Sequence, residues 1–124
     1  MLEVANGWSL DVARGPDWLF VHLNPADEQW TDTTGLADAL WGLLEQQFAR
    51  RLVLELQDLP TLSSSLLGEL VRLHNRIDRR GGLMRLCGLS QRNLDALRLT
   101  RLQRCLPHYG SREDALHGGY PKPR

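Results

Sequence analysis

A chain of 124 residues, of which 42% are hydrophobic, is long enough to form one domain around a single buried core. Its formal net charge is zero, so the total charge gives no reason to expect nucleic acid as a partner. No apolar run approaches the length of a membrane-spanning helix, so we expect no membrane insertion.

The charge is unevenly distributed. Residues 1–70 contain three basic and eleven acidic residues, and residues 71–124 contain twelve basic and four acidic ones. This asymmetry indicates either a binding face or simply helices that expose charge.

The two cysteines, Cys87 and Cys105, do not have the spacing of a zinc set, and one bridge between them is not implied. Without a secretory signal, two lone thiols indicate a reducing cytoplasm. Glycine-rich phosphate loops of the GxGxxG or GxxxxGKS type are also lacking. We therefore expect neither a metal nor a cofactor.

The first element in the chain is a predicted β-hairpin. Residues 8–13 alternate between apolar and polar side chains, and residues 18–23 are aromatic and β-branched. Gly15-Pro16-Asp17 between them is a turn signal. His22 lies in the second strand among apolar neighbours, and no other metal-ligand type has suitable spacing to it. It is therefore expected to point outwards or to be satisfied locally.

A polar loop over residues 24–34 leads to a predicted helix over residues 36–49. Its apolar stripe extends from Leu36 to Phe48, and Arg50-Arg51 closes the helix at its negative end.

The most apolar strand, residues 52–56, is expected to lie at the centre of the sheet with both faces buried. A turn over residues 58–61 follows, and an amphipathic helix begins near Ser63 or Ser64. Gly81-Gly82 ends that helix, because glycine tolerates the left-handed cap.

The remaining chain predicts a strand over residues 83–89, a short helix capped by Ser90, an edge strand over 105–109 and a last helical turn over 111–116. The short helix carries an apolar set that consists of Leu94, Leu97, Leu99 and Leu102. The order of elements predicts an α/β fold: a small mixed sheet of four to five strands packed against four helices. We expect a single domain over residues 1–117 and a flexible tail over 118–124.

Three consecutive serines, Ser63, Ser64 and Ser65, lie at the junction between the central strand and its helix. A hydroxyl there lies at the positive end of the helix dipole, where it is open to a partner or to phosphorylation. The simpler alternative is that Ser63 or Ser64 only caps the helix.

The chain resembles the STAS domains, which are typified by bacterial anti-sigma factor antagonists (anti-anti-sigma factors). The family pattern is an apolar strand, a segment like D-L-S-x-x-x-D-S-S-G-L-G, a long helix, and then G-G followed by a strand. The matching segments here are residues 52–68, Gly81-Gly82 with the strand after it, and Asp114-Ala115-Leu116 in the last helix. The resemblance covers residues 51–117, whereas the first fifty residues agree in element order only.

The resemblance implies a cytoplasmic protein-binding module that acts in bacterial signal transduction by partner switching. An anti-sigma factor serine/threonine kinase binds the unphosphorylated domain, releases its sigma factor for transcription, and phosphorylates a serine that falls on Ser64. Phosphorylation ends the complex, and a phosphatase reverses it. By this resemblance the chain is a phosphoprotein and a monomer or weak dimer. The residues expected to contact the partner are Asp58, Thr61, Ser63, Ser64, Ser65, Leu67 and Arg72.

Two positions differ from the family pattern, because Ser63 replaces its Asp and Leu66 replaces its Gly. An alternative is therefore a STAS subunit that is not phosphorylated, either a scaffold in a stress-signalling assembly or an accessory subunit of a lipid-transporting ABC complex.

Two further classes of function are disfavoured. No GxSxG elbow or recognisable pair of carboxylates is present, so we expect no catalytic residue and no enzyme. Arg72, Arg76 and either Arg79 or Arg80 share an exposed helix face, and other arginines follow at 98, 101 and 104. These arginines lack interleaved aromatic residues for stacking bases. We therefore expect no nucleic acid, and an acidic partner is the better use of these arginines.

Overall fold

A computed structural model describes residues 2–3, 7–25 and 32–117 of the chain. The predicted loop over 24–34 lies partly outside the described residues. The predicted tail over 118–124 lies wholly outside them. The strands are β1 Leu2–Glu3, β2 Trp8–Arg14, β3 Leu19–Pro25, β4 Arg51–Glu55, β5 Leu83–Cys87 and β6 His108–Tyr109. The helices are α1 Leu36–Gln46, α2 Ser64–Arg79, α3 Gln91–Leu99 and α4 Arg112–His117.

The six strands form one mixed sheet in the order β1-β2-β3-β4-β5-β6. The β1–β2 and β2–β3 pairs are antiparallel, and the β3–β4, β4–β5 and β5–β6 pairs are parallel. Each parallel step is connected by one helix, as crossover connections require. Consequently the serine junction lies at the carboxyl end of the sheet's parallel part.

The sheet separates two apolar clusters of unequal size. The larger cluster contains Leu52, Leu54 and Leu56 together with the apolar faces of α1 and α2. The smaller cluster lies on the opposite face, where Val53 and Cys87 pack with Ala115 of α4. Alternate residues of β4 thus enter different clusters, because successive side chains of a strand point to opposite faces. The predicted burial of this strand on both faces is confirmed.

The α/β class and the four helices agree with the sequence prediction, as do the hairpin and the double-glycine helix end. The sequence prediction did not include β1, whose two residues pair with β2. The edge strand is also shorter than predicted, since only His108 and Tyr109 pair with β5.

Two residues of the predicted apolar sets, Phe48 and Leu99, are exposed. The helix that was predicted to run to residue 49 ends at Gln46, and Phe48 has a φ of +53° and is 91% exposed. Arg51 does not close the helix, because it begins β4. Leu99 is the last residue of α3 and is 85% exposed. The sequence pattern put both residues in apolar sets, but Phe48 lies beyond the end of α1 and Leu99 is the last residue of α3.

The double glycine ends α2 with two backbone hydrogen bonds that reverse the chain. The Gly81 amide donates to the Asp78 carbonyl, and the Gly82 amide donates to the Ile77 carbonyl, both at 3.0 Å. Gly81 has a φ of +74°, which a residue with a Cβ adopts only at a cost. Gly82 has a different role, since an added Cβ there would lie 2.1 Å from the Arg50 carbonyl oxygen. This close approach lets the chain leave α2 directly beside Arg50, where the Leu83 amide donates to the Arg50 carbonyl at 3.0 Å at the start of the β4–β5 pairing.

We predict that Gly82→Ala destabilises the fold by about 1–3 kcal/mol, because its methyl group overlaps the Arg50 backbone. Gly42→Ala is the matched control. Gly42 lies within α1 with no atom within 4 Å of an added Cβ, so the change is expected to stabilise by about 0.5–1 kcal/mol. Urea unfolding measures both variants. Equal stability of Gly82→Ala and the parent would show that the packing at this position is looser than described.

Candidate functional site

The serine junction is built from the end of β4, the eight residues 56–63 and the first turn of α2. β4 ends at Glu55, and α2 begins at Ser64 with Ser63 as its N-cap. The Ser63 hydroxyl accepts a hydrogen bond from the Leu66 amide at 3.1 Å. Serine is among the preferred N-cap residues because its oxygen satisfies one of the free amides of the first turn. Ser63 is therefore committed to the start of the helix.

A buried amide in α3 holds the loop before the serines. Asn93 is 2% exposed, and its side chain bonds to the loop backbone at two points. Its Oδ1 accepts from the Leu62 amide at 3.0 Å, and its Nδ2 donates to the Leu59 carbonyl at 3.1 Å. Both backbone groups would otherwise be buried without a partner, which is costly. Asn93 thus fixes the approach of the chain to Ser63.

The serines are presented at the surface at the start of α2. Ser63, Ser64 and Ser65 are all exposed, and so is Thr61 before them. Neither Ser64 nor Ser65 makes a side-chain hydrogen bond to any residue that the structure describes. Their hydroxyls lie at the positive end of a sixteen-residue helix. The site therefore offers two available hydroxyls beside one that is used for capping.

A chain of contacts between ionisable side chains runs from the loop to the last helix. His22 Nε2 lies 2.6 Å from Asp58 Oδ2, and His22 Nδ1 lies 3.7 Å from Glu55 Oε1. Glu55 is buried and also accepts a hydrogen bond from Arg112 Nε of α4. This bond raises the pKa of the Arg112 guanidinium above its usual range. His22 is therefore satisfied locally, as predicted, and Asp58 is exposed but already has a partner.

Two of the predicted contact residues have other roles in the fold. Leu67 is 5% exposed and packs into the larger cluster, so its side chain is not available at the surface, and this prediction is corrected. Arg72 is exposed on α2, and its Nη1 lies 3.3 Å from Oε2 of Glu69. Glu69 is buried and accepts a hydrogen bond from the Ala37 amide at 3.1 Å, which joins α2 to the start of α1. Arg72 thus covers a structural carboxylate.

Sequence reasoning missed three buried polar residues that position the site: Glu55, Glu69 and Asn93. A signal for Asn93 was present, because it lies four residues before Leu97 on the apolar face of its helix. A polar residue on such a face needs a buried partner. A signal for Glu55 was also present, because it is the one charged residue in a strand that was predicted to be buried on both faces. A buried carboxylate requires a partner of opposite charge.

The start of α3 is fixed by a second cap and a histidine. The Ser90 hydroxyl accepts from the Asn93 amide at 3.2 Å, and His108 Nε2 accepts from the Leu89 amide at 3.1 Å. His108 accepts this bond only with Nε2 unprotonated. Burial, and then the charge of Arg98, lower the pKa of His108 below 6.5.

Over the described ranges, no helix is long and apolar enough to cross a membrane. The same ranges hold no cluster of three or more His, Cys, Asp or Glu residues that would suit a metal ion.

The structure is an α/β domain that exposes serine hydroxyls at the start of a helix. The STAS domain family model matches residues 28–115, which is more than half of the chain. The protein therefore belongs to the STAS domain family. A comparison with curated protein sequences gives no significant match.

Solved structures with the same fold include several antagonists of anti-sigma factors. An anti-sigma factor antagonist from Mycobacterium paratuberculosis superposes with a TM-score of 0.70 at 20% identity, over 93% of this chain and 96% of that one. A STAS domain protein from Planctomyces limnophilus gives 0.69 at 22% identity, over 86% and 94%. The Bacillus cell fate determinant SpoIIAA in its phosphorylated form gives 0.60 at 11% identity, over 87% and 96%. At these identities the similarity shows the fold.

We predict that Asn93→Ala destabilises the protein by about 2–4 kcal/mol, because it leaves the Leu62 amide and Leu59 carbonyl buried without partners. Asn75→Ala, an exposed asparagine on α2, is the matched control and is expected to change stability by less than about 0.5 kcal/mol. Urea unfolding measures the stability, and hydrogen exchange measures the Leu62 amide. Slow exchange of that amide in Asn93→Ala would contradict the assigned role.

We predict that His108 makes the fold less stable as pH falls. The unfolded chain binds a proton at His108 near pH 6.5, and the folded chain does so only at lower pH. The contribution is therefore fully present above about pH 6.5 and is lost as the pH decreases through the lowered folded pKa. Urea midpoints measured from about pH 7.5 to 5 should fall less steeply in His108→Gln than in the parent. Identical slopes would contradict the prediction.

Proposed function

We propose that this STAS domain is an anti-sigma factor antagonist that binds an anti-sigma factor serine kinase through the serine junction. In partner switching, that binding releases a sigma factor and so controls transcription. The proposal includes one cytoplasmic domain over residues 1–117 and no catalytic activity of its own. Its support is the family membership together with the fold shared with the antagonists described above.

The observation that carries the proposal is the exposure of three hydroxyls on a rigid helix start. Asn93 holds the loop, Ser63 caps α2, and the next two serines remain available. A preorganised surface binds with a smaller loss of conformational entropy than a flexible loop does. The junction therefore suits recognition by a folded partner.

We infer that Ser64 is the phosphorylated residue. Ser63 uses its hydroxyl oxygen in the cap, so a phosphate on it would compete with the bond to the Leu66 amide. Ser64 is the first residue of α2, where a dianion is favoured by the helix dipole. A phosphate adds a charge of about −1.5 to −2 at pH 7, and it would end a contact made with the neutral hydroxyl by repulsion and desolvation.

The two departures from the family pattern are compatible with this assignment. Serine and aspartate are comparable N-caps, so Ser63 preserves the helix start without the carboxylate. Leu66 is 2% exposed and packs into the core, so its side chain does not cover Ser64. The proposed contact surface consists of Asp58, Thr61, Ser63, Ser64, Ser65 and Arg72.

The second candidate is a STAS scaffold or transporter subunit that is not phosphorylated. The observation that favours it is Ser63, because a family carboxylate that would help to bind a kinase is lacking at this position. Such a subunit would bind its partner equally well whether or not position 64 carries a charge.

We predict that Ser64→Glu weakens binding to an anti-sigma factor kinase from the same organism by about tenfold or more, because it places a charge in the contact surface. Ser64→Ala should bind that kinase but lose phosphate incorporation from ATP. Ser65→Ala, the neighbouring exposed serine, is the matched control: it should keep phosphate incorporation at Ser64, and the loss of one contact hydroxyl should weaken affinity much less than Ser64→Glu does. Calorimetry measures affinity, and mass spectrometry locates the phosphate.

Two results would overturn parts of the proposal. Phosphate on Ser63 or Ser65 of the parent protein would move the switch away from Ser64. Kinase binding without any phosphate, and unchanged by Ser64→Glu, would favour the scaffold.

A further inference from the structure

The end of the sheet opposite the serine junction carries a second concentration of unusual residues. We call it the arginine pole and define it by Arg14, Trp18, Phe48, Arg50 and Arg51. These residues meet because β2 ends there, whereas β3 and β4 begin there. They line an open pocket of about 270 Å³. The length of β4, roughly 13 Å between its first and last Cα atoms, separates the pole from the serine junction.

The pole carries positive charge that the fold does not neutralise. In the described part of the chain, Arg14, Arg50 and Arg51 lie within ion-pair distance of no carboxylate, whereas four other arginines each pair with one. Arg14 donates to the Gln47 carbonyl, and the Arg51 guanidinium lies 5.8 Å from the Trp18 ring centroid. The pocket wall contains three arginines against the single carboxylate of Asp17. An anionic ligand would complete the charge balance.

Phe48 breaks two local rules at this pole. It occupies the position after the α1 C-cap, where the Phe48 amide donates to the Glu45 carbonyl at 3.2 Å and the Ala49 amide to the Leu44 carbonyl at 3.0 Å. Glycine is usual there because φ is positive, and Phe48 has a φ of +53°. Its ring is 91% exposed, so no packing compensates for the backbone strain. Strain without a compensating contact indicates a role outside folding.

These observations favour a protein partner. The Trp18 ring is 8% exposed and cannot stack a base, which leaves one exposed ring for nucleic acid. One apolar side chain beside a concave pocket is also a poor anchor for a membrane surface. Arginine and aromatic residues are the usual anchors of protein interfaces, with the aromatic ring entering a pocket on the partner.

We propose that the arginine pole binds an acidic protein segment that carries an apolar pocket or side chain for Phe48. The partner's carboxylates pair with Arg14, Arg50 and Arg51, and its apolar group covers the Phe48 ring. Because this surface lies at the other end of the sheet, the domain binds two partners at once. The pole is independent of the partner at Ser64.

The test uses the ¹⁵N-labelled full chain and a random glutamate–tyrosine copolymer as the acidic, aromatic probe. Amide shifts are expected around residues 14 and 48–51 and not around the serines. Phe48→Gly should weaken binding about tenfold or more while raising the urea midpoint, because glycine relieves the strained backbone. Arg50→Ala combined with Arg51→Ala should weaken binding by a similar factor.

The matched controls carry equal changes elsewhere on the surface. Leu99→Ser removes another exposed apolar side chain, and Arg92→Ala with Arg104→Ala removes two exposed arginines that have no ion pair among the described residues. Both controls are expected to change affinity less than twofold. Ser64→Glu should leave copolymer binding unchanged.

Several outcomes would overturn the proposal. One is an equal loss of affinity in the controls, which would reduce the interaction to general charge attraction. Others are equally strong binding of polyglutamate, inorganic phosphate or phosphatidylglycerol vesicles at the same residues. Concentration-dependent dimerisation that Phe48→Gly abolishes would assign the pole to a second copy of this chain.

Discussion

The structure of the serine junction depends on one buried amide. Asn93 reaches from α3 to the loop that precedes α2 and satisfies a backbone donor and a backbone acceptor at once. The buried backbone groups of Leu59 and Leu62 need such partners because water cannot supply them. The bond places the loop, the loop places Ser63, and Ser63 starts the helix on which Ser64 is exposed. Sequence-distant elements thus set the geometry of a surface site.

Buried carboxylates also join distant elements near the carboxyl end of the sheet. Glu69 joins α2 to the first turn of α1, and Glu55 joins β4 to α4 through Arg112. Removing one partner of such a pair leaves a buried charge uncompensated, so these contacts fix the helix positions strongly. The loop before Ser63 is therefore bordered on several sides by directional polar bonds, which suits a recognition surface.

The two ends of the sheet differ in how they treat charge and strain. At the serine junction, the ionisable side chains of His22, Glu55 and Asp58 have partners, and the helix is capped by a favoured residue. At the arginine pole, cations lack counter-ions and Phe48 is both strained and exposed. Marginal stability makes such features costly to keep. The strained residue and the unpaired cations both lie at the arginine pole, so this end of the sheet carries features that do not stabilise the fold.

The sequence by itself determined the order of elements and the burial of β4, because periodicity and glycine positions are local properties. It also placed the serines at a helix start, since capping depends on neighbours within four residues. Residues such as Asn93 and Glu55 depended on tertiary structure, because their partners lie 31 or more positions away in the chain. The exposure of Phe48 was likewise decided by the end of α1 before it, and the burial of Leu67 by the packing of α2 into the larger cluster. Local chemistry fixed what the elements are, and packing between distant elements decided which side chains face a partner.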